Sequence, residues 1–328
     1  LKKIATHVKD KFMTNTNYTE LSKSDDCEKF INQFIQDIPL RSAEIGRGTI
    51  IKRALPSRHK RMIGAWCFLD HAGPVTFPKG EGLDVGPHPH IGLQTFTWMI
   101  EGTMLHSDSL GTTNQLIRPK QVNLMTAGRG ISHTEVAPEN ETKMHAAQLW
   151  IALPDDKINM APQFDHYPEL PVVEKDDIEF TVLVGEFLNT TAPVQVHTEL
   201  LAVDLTAQKA TQSRLTLNPK FEYGFMALEG TAVINGHALD QDNLVVLEPG
   251  LNEIDIEIHE GGRILLLGGE PFESPILLWW NFVGRSQEEL KIAREQWVNQ
   301  DERFGKIPSY QGERLKAPEL PDSMRPSK

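Results

Sequence analysis

From Ile50 onward the chain is written in short apolar runs cut by Gly, Pro, Asn and Asp. "LQTFTWMIEG", "VNLMTAG", "AAQLWIALP", "EFTVLVG" and "NLVVLEPG" are rich in Val, Ile, Thr, Phe and Trp and too short for helices. This texture predicts many short strands, hence a β-sandwich or barrel. A weak internal repeat sharpens the prediction. "FTWMIEGTMLH", starting at Phe96, resembles "YGFMALEGTAVINGH", starting at Tyr223: an apolar strand, Glu-Gly-Thr, and a second apolar strand. Two copies imply two similar β-domains in 328 residues, a length that suits two domains. The Pro- and Asp-rich stretch "ALPDDKINMAPQFDHYPELPVVEKDD" separates them, and the division is placed at residue 175. Residues 1–43 then form a polar extension, 44–175 the first barrel, and 176–328 the second barrel with a helix and tail.

Outside the barrels two helices are expected. "DCEKFINQFIQDI" places Phe30, Phe34 and Ile38 at helical spacing. "SQEELKIAREQWVNQ" sets Ser286 three residues before Glu289, a capping-box spacing, with Leu290, Ala293 and Trp297 on one face. After it, "IPSYQGERLKAPELPDSMRPSK" reads as an irregular tail, and Trp279-Trp280 as packing aromatics.

Charge and cysteine content exclude several function classes. A net charge of −12 with no basic stripe argues against nucleic acid; the densest basic run, Arg58–Arg61, is short and isolated. Cys27 and Cys67 are the only cysteines, with no CxxC, so thiolate metal sites and a disulfide framework are not expected. No run of about 18 uninterrupted apolar residues suggests a membrane span, and "LKKIATHVKDKF" has no signal-type apolar core. The expectation is a cytoplasmic protein.

The chemistry sits in "GPHPHIGLQT" and "TAGRGISHTEV". Residues two apart on a strand share a face, so His88 and His90 project together, as do His133 and Glu135. Pro89 biases His88 to extended geometry and implies an edge or bulged position. Three imidazoles and one carboxylate suit Fe(II), Mn, Ni, Cu or Zn. Open positions would make the site catalytic; a closed tetrahedral set would be structural zinc. Either pair alone also occurs by chance among 12 histidines. His106, with Asp108 on its face, is either a hydrogen-bond partner near the metal or an ordinary hairpin histidine. His145 and His166 read as structural. Gln94 occupies a position where a further carboxylate would fit.

Taken together, "RALPSRHKRMIGAWCFLDHAGPV", "HPHIGLQTFTWMIEG", "HSDSLG", "MTAGRGISHTE", "QLWIALP", "LLLGGEPFESPI" and "WNFVGRSQEEL" resemble the pirin family of the cupin superfamily, over roughly residues 45–320. The resemblance implies an all-β bicupin of two antiparallel β-sandwich, jelly-roll barrels with a short C-terminal helix. It implies a mononuclear metal in the first barrel, iron first, held by His88, His90, His133 and Glu135. The general cupin glutamate falls on Gln94, a departure. "FEYGFMALEG" offers no histidine at the matching place, so the second barrel is expected to be metal-free. Two functions follow from the resemblance. One is a quercetin 2,3-dioxygenase-like enzyme, with Glu135 as general base, His106 in support and a flavonol-like substrate. The other is a redox-sensing regulator that binds a protein partner without turnover.

Overall fold

The central strands of the first barrel are buried almost continuously, because both faces of its larger sheet are covered. In the computed structural model, which describes residues 34–46 and 48–327, the chain from Asp37 onward forms one compact unit. One antiparallel sheet runs in the order Gln163–Tyr167, Gln121–Thr126, Leu93–Gly102, Lys143–Ala152, Trp66–Thr76, Thr49–Leu55 and Arg41–Ile45. A smaller sheet faces it, ordered Asp84–His90, Ile131–Val136, Met104–Asp108 and Gln115–Ile117. One face of the larger sheet carries Phe96, Trp98, Leu124 and Leu149 into a core shared with the second barrel; the other carries Leu93, Met125 and Trp150 into the first barrel's interior.

The second barrel repeats this plan. Its large sheet contains Asn243–Leu247, Glu222–Glu229, Arg263–Gly269, Leu200–Ala207, Ile178–Val184 and Val172–Lys175 in that order. Its small sheet is Thr211–Thr216, Glu253–Ile258, Ala232–Ile234 and His237–Leu239. Strand Glu222–Glu229 holds the place of Leu93–Gly102, as the repeat predicts. The sheet begins ahead of residue 175, because Val172–Lys175 already pairs with Ile178–Val184. Thr211–Thr216, not the "FEYGF" segment, holds the place of the His88 strand. There Ser213 faces Ile256 and Leu215 faces Ile254, so aliphatic side chains fill the space that imidazoles occupy in the first barrel.

The two large sheets pack face to face through Trp66, Phe96, Trp98, Leu183, Met226 and Leu265. Polar ties fix their register. The Trp66 indole donates to the carbonyls of Leu201 and Gly268, and Trp98 donates to Asp204 at 2.6 Å. Asp204 is buried and is held by Arg263 at 3.0 Å. Such buried indole donors need partners.

The N-terminal helix expectation is corrected where it can be seen. Ile35–Pro39 is a strand with Ile38 buried; the rest of that segment lies outside the described residues. The C-terminal helix is present as Gln287–Val298, with Ser286 accepting from the Glu289 amide and Leu290, Ala293 and Trp297 buried. Helix and tail do not stay with the second barrel. Leu315 donates to the Pro87 carbonyl at 2.9 Å, Tyr310 to Asp84 at 2.8 Å, and Ser132 to the Phe304 carbonyl at 2.8 Å. The tail thus covers the outer strand of the first barrel's small sheet. Among the described residues no helix is long and apolar enough to cross a membrane.

Candidate metal centre

Strand Asp84–His90 lies at the edge of its sheet, where Pro87 and Pro89 leave no ladder donor unmade. Its neighbour Ile131–Val136 sets His133 opposite His88 and, on its other side, opposite Asp108. The imidazoles of His88, His90 and His133 meet inside the barrel. Ring centroids are 4.3 Å apart for His88 and His133, 5.1 Å for His88 and His90, and 5.0 Å for His90 and His133. One ring nitrogen from each lies within 4.8 Å of the others, and His90 Nε2 is 3.1 Å from His133 Nε2. Two nitrogens bound to one metal at about 2.1 Å stand roughly 3 Å apart, so this spacing fits a shared cation.

Each ring is held by its other nitrogen. His88 Nδ1 lies 2.9 Å from the Gly86 carbonyl, and His90 Nδ1 lies 3.0 Å from the Asn281 carbonyl. His133 Nδ1 faces His106 Nδ1 at 3.3 Å, and His106 Nε2 reaches Asp108 Oδ2 at 2.9 Å. One proton arrangement satisfies this last chain and leaves His133 Nε2 a lone pair: His133 donates to His106, and His106 donates to Asp108. This is how ligating histidines are commonly oriented. Asp108 is itself anchored by the amides of Leu110 and Thr112. Burial opposes its charge, but the bonds from His106, Thr112 and Leu110 outweigh that and hold its carboxyl below the usual range.

Electrostatics favour a cation. Burial lowers His88 to about 4 despite the bond to the Gly86 carbonyl. Burial and neighbouring imidazoles push His90 and His133 well below the ordinary range. All three are therefore neutral ligands at physiological pH. Glu135 shares the face of His133, one register step along, opposite His106. A bulge between His133 and Glu135 displaces it relative to the His88 strand, and its carboxylate stands outside the tight group of imidazoles. Burial pushes its carboxyl up to about 7. A half-buried carboxyl next to three neutral imidazoles is a donor set to which a divalent metal would bring the compensating charge.

Of the residues singled out from sequence, the fold brings His88, His90 and His133 together and seats His106 directly behind His133. Gln94 goes elsewhere. It lies on the Phe96 and Trp98 face, turned from the histidines, and donates to Thr126 Oγ1 at 2.9 Å. An amide there cannot alter the ligand set directly. Sequence reasoning missed Asn281, whose carbonyl reaches His90 from 191 residues away. It also missed two aromatic walls: Trp150 stands edge-on to His90 at 5.2 Å, and Phe164 stacks on His106 at 4.1 Å. The signal for Asn281 was Trp279-Trp280-Asn281 itself, a polar residue after two tryptophans. Trp280 has a φ of 51°, unusual for a bulky residue, and so turns the hairpin that aims the carbonyl.

The family model for pirin matches residues 48–151, and the one for the pirin C-terminal cupin domain matches residues 202–305. A Pseudomonas aeruginosa protein provisionally named as a quercetin 2,3-dioxygenase is 49% identical over 310 residues, covering 94% of this chain and 98% of that one. A pirin-like protein of Caulobacter vibrioides is 34% identical, covering 75% of this chain and 87% of its own. A crystal structure of quercetin 2,3-dioxygenase from Acinetobacter baumannii superposes with a TM-score of 0.90 at 74% identity, covering 91% of this chain and all of that one. Both barrels, the repeat and the histidine motifs agree with these matches: the chain belongs to the pirin family.

Proposed function

We propose that this pirin is a metal-dependent dioxygenase acting on a flavonol-like enol, in the manner of quercetin 2,3-dioxygenase. The observation that carries the reading is the convergence of three neutral imidazoles inside the first barrel, each fixed from behind. The names of the Pseudomonas and Acinetobacter relatives support the substrate class. His88, His90 and His133 would hold the metal, with iron the first candidate and Mn, Ni, Cu or Zn also accommodated by the donor set. A bound divalent metal would supply Lewis acidity toward a chelating enol and a common meeting point for substrate and dioxygen.

The chain's own residues do the rest. Glu135 supplies the fourth, carboxylate ligand in this reading and accepts the enol proton. Trp150 and Phe164 give the planar substrate an apolar wall and keep bulk water from the imidazoles. Asp108 and His106 keep the His133 ring in one orientation.

The test is direct. Full-length protein is loaded anaerobically with Fe(II), Mn, Ni or Cu, and dioxygen uptake is followed with quercetin. Uptake of one dioxygen per flavonol is expected with at least one metal; no turnover with any metal sinks the proposal. Glu135→Gln should cut turnover by 10²-fold or more, the typical worth of a positioned base. Retained turnover in that variant would move the base elsewhere.

A further inference from the structure

The interior of the first barrel carries one feature that metal binding does not use. A polar row crosses the large sheet in strict register: His166 beside Asn123, Asn123 beside Thr97, Thr97 beside Gln148, Gln148 beside Asp70, and Asp70 beside Arg53. All six belong to the inner face, alternating with the residues that pack on the second barrel. Uncompensated polar groups are costly in a barrel interior, yet six stand here in line. Three closed pairs account for most of them. His166 Nδ1 meets Asn123 Oδ1 at 2.7 Å, Thr97 donates to Gln148 Oε1 at 2.7 Å, and Arg53 grips Asp70 with two bonds of 2.6 and 2.7 Å.

One fully buried donor is left over. Asn123 is 4% exposed, and its Nδ2 has no hydrogen-bond partner among the described residues. It belongs to the junction between two of the closed pairs, on the inner face. The space above the row is reachable, because His166, Gln148 and Arg53 keep some solvent exposure although they stand on that inner face.

The row's distance from the histidines is set by strand geometry. Phe164, which stacks on His106, lies two residues before His166; Trp150, edge-on to His90, lies two residues after Gln148. The polar row is therefore one same-face step, roughly 6.6 Å, from the aromatic floor beside the imidazoles. Phe68 extends that floor, stacked on Trp150 at 4.0 Å and capped by Arg53 at 4.5 Å. A planar ring system chelated at the histidines would lie along these aromatic faces and bring its far edge to the row.

We propose that this row is the specificity subsite for the end of the substrate remote from the metal, with the Asn123 amide donating to a ring oxygen there. The substrate class is thereby narrowed to planar aromatic enols that carry hydroxyl groups away from the chelating pair. The inference rests on the flavonol reading of the metal centre. Asn123 acts in it as a substrate-binding residue, and Thr97 as a positioning residue that keeps Gln148 turned from the donor.

The experiment compares two flavonols on nickel-loaded full-length protein without dioxygen, following the visible spectrum of the bound flavonol. Quercetin carries the remote hydroxyls; 3-hydroxyflavone keeps only the chelating pair. Wild type should prefer quercetin, and Asn123→Leu, of similar volume, should lower that preference about tenfold, the effect of one lost hydrogen bond of about 1.4 kcal/mol. Thr97→Val should lower the same ratio, and Thr97→Ser should restore it. These variants serve should Asn123→Leu fold poorly. Equal affinity of wild type for the two flavonols, or a ratio untouched by both Asn123→Leu and Thr97→Val, overturns the subsite and leaves the dioxygenase reading standing. If metal-loaded wild type binds neither flavonol, the substrate class fails, and the subsite fails with it.

Discussion

The chain His133–His106–Asp108 makes a quantitative demand on metal affinity. Replacing Asp108 by Asn keeps the shape but removes the charge that receives the His106 Nε2 proton at 2.9 Å. A charge-assisted bond is roughly twice as strong as a neutral one. The consequence travels further than that bond. An Asn amide can turn its NH₂ toward His106 Nε2, which would move the proton to His106 Nδ1. His106 would then donate across the 3.3 Å contact to His133 Nδ1. That forces the His133 proton onto Nε2, the nitrogen 3.1 Å from His90 Nε2. One of three imidazole ligands would be lost in that tautomer. Loss of an outer partner of this kind typically weakens metal binding 10- to 100-fold, or about 1.4–2.8 kcal/mol. The assay is competitive titration of Ni(II) or Fe(II) against a chelator of known affinity, with a thermal melt of the metal-free variant alongside. The melt matters because Asp108 also receives the Leu110 and Thr112 amides. Unchanged metal affinity in a folded Asp108→Asn protein would refute the relay.

Two further outcomes are expected. His71 and His145, buried and 2.8 Å apart at Nε2, are lowered chiefly by burial to about 3 and about 4. Because the unfolded chain takes up their protons near 6.5, their contribution to stability is complete above that pH and is lost as pH falls toward about 4. Near pH 5 each adds about 1.4 kcal/mol per pH unit to the slope of urea stability, so His145→Gln should flatten the profile by about that amount; an unchanged slope refutes the assignment. Gly92→Ala should disturb fold and site together: φ is 70°, and a Cβ would sit 2.0 Å from the Val283 carbonyl, in the hairpin that carries Asn281. A loss of several kcal/mol in urea stability is expected, together with weaker metal binding; a variant matching wild type in both would show that the hairpin does not brace His90.

The parts of this molecule that were legible in sequence are those with a local period. Strand alternation announces itself every second residue, so the barrels and the shared faces of His88 with His90 and of His133 with Glu135 could be read directly. The helix Gln287–Val298 was equally plain, because its cap and its buried stripe of Leu290, Ala293 and Trp297 lie within one turn or two of each other. What could not be read depends on which strands become neighbours. Ile35–Pro39, the described end of a segment with helical spacing, is a strand, because tertiary pairing decides its conformation there and propensity loses. Gln94 looked like a candidate at the site because it is four residues from His90. The turn between Asp84–His90 and Leu93–Gly102 resets the phase, and the following strand shows its even positions to the other barrel. The Asn123–Thr97–Gln148–Asp70 line is invisible for the same reason: its members are adjacent only once the register of four strands is known.

The candidate metal centre is consequently a property of the whole chain rather than of the barrel that holds its three imidazoles. Two of the three imidazoles are braced from within the first barrel, His88 by Gly86 and His133 by His106. The third, His90, is braced by Asn281, which the chain reaches only after completing the second barrel. The segment beyond Asn281 then covers the edge strand, where Pro87 and Pro89 leave the backbone with acceptors and no donors, and Leu315 caps the Pro87 carbonyl. A sheet edge is the least constrained part of a barrel, and here it carries two of the three imidazoles. The second barrel buries Leu215, Ile254 and Ile256 in its own interior. It fixes the first barrel's large sheet through Trp66 and Trp98 and delivers the hairpin that orients His90. The second barrel thus gives the histidine cluster of the first an outer support that the first barrel does not itself supply.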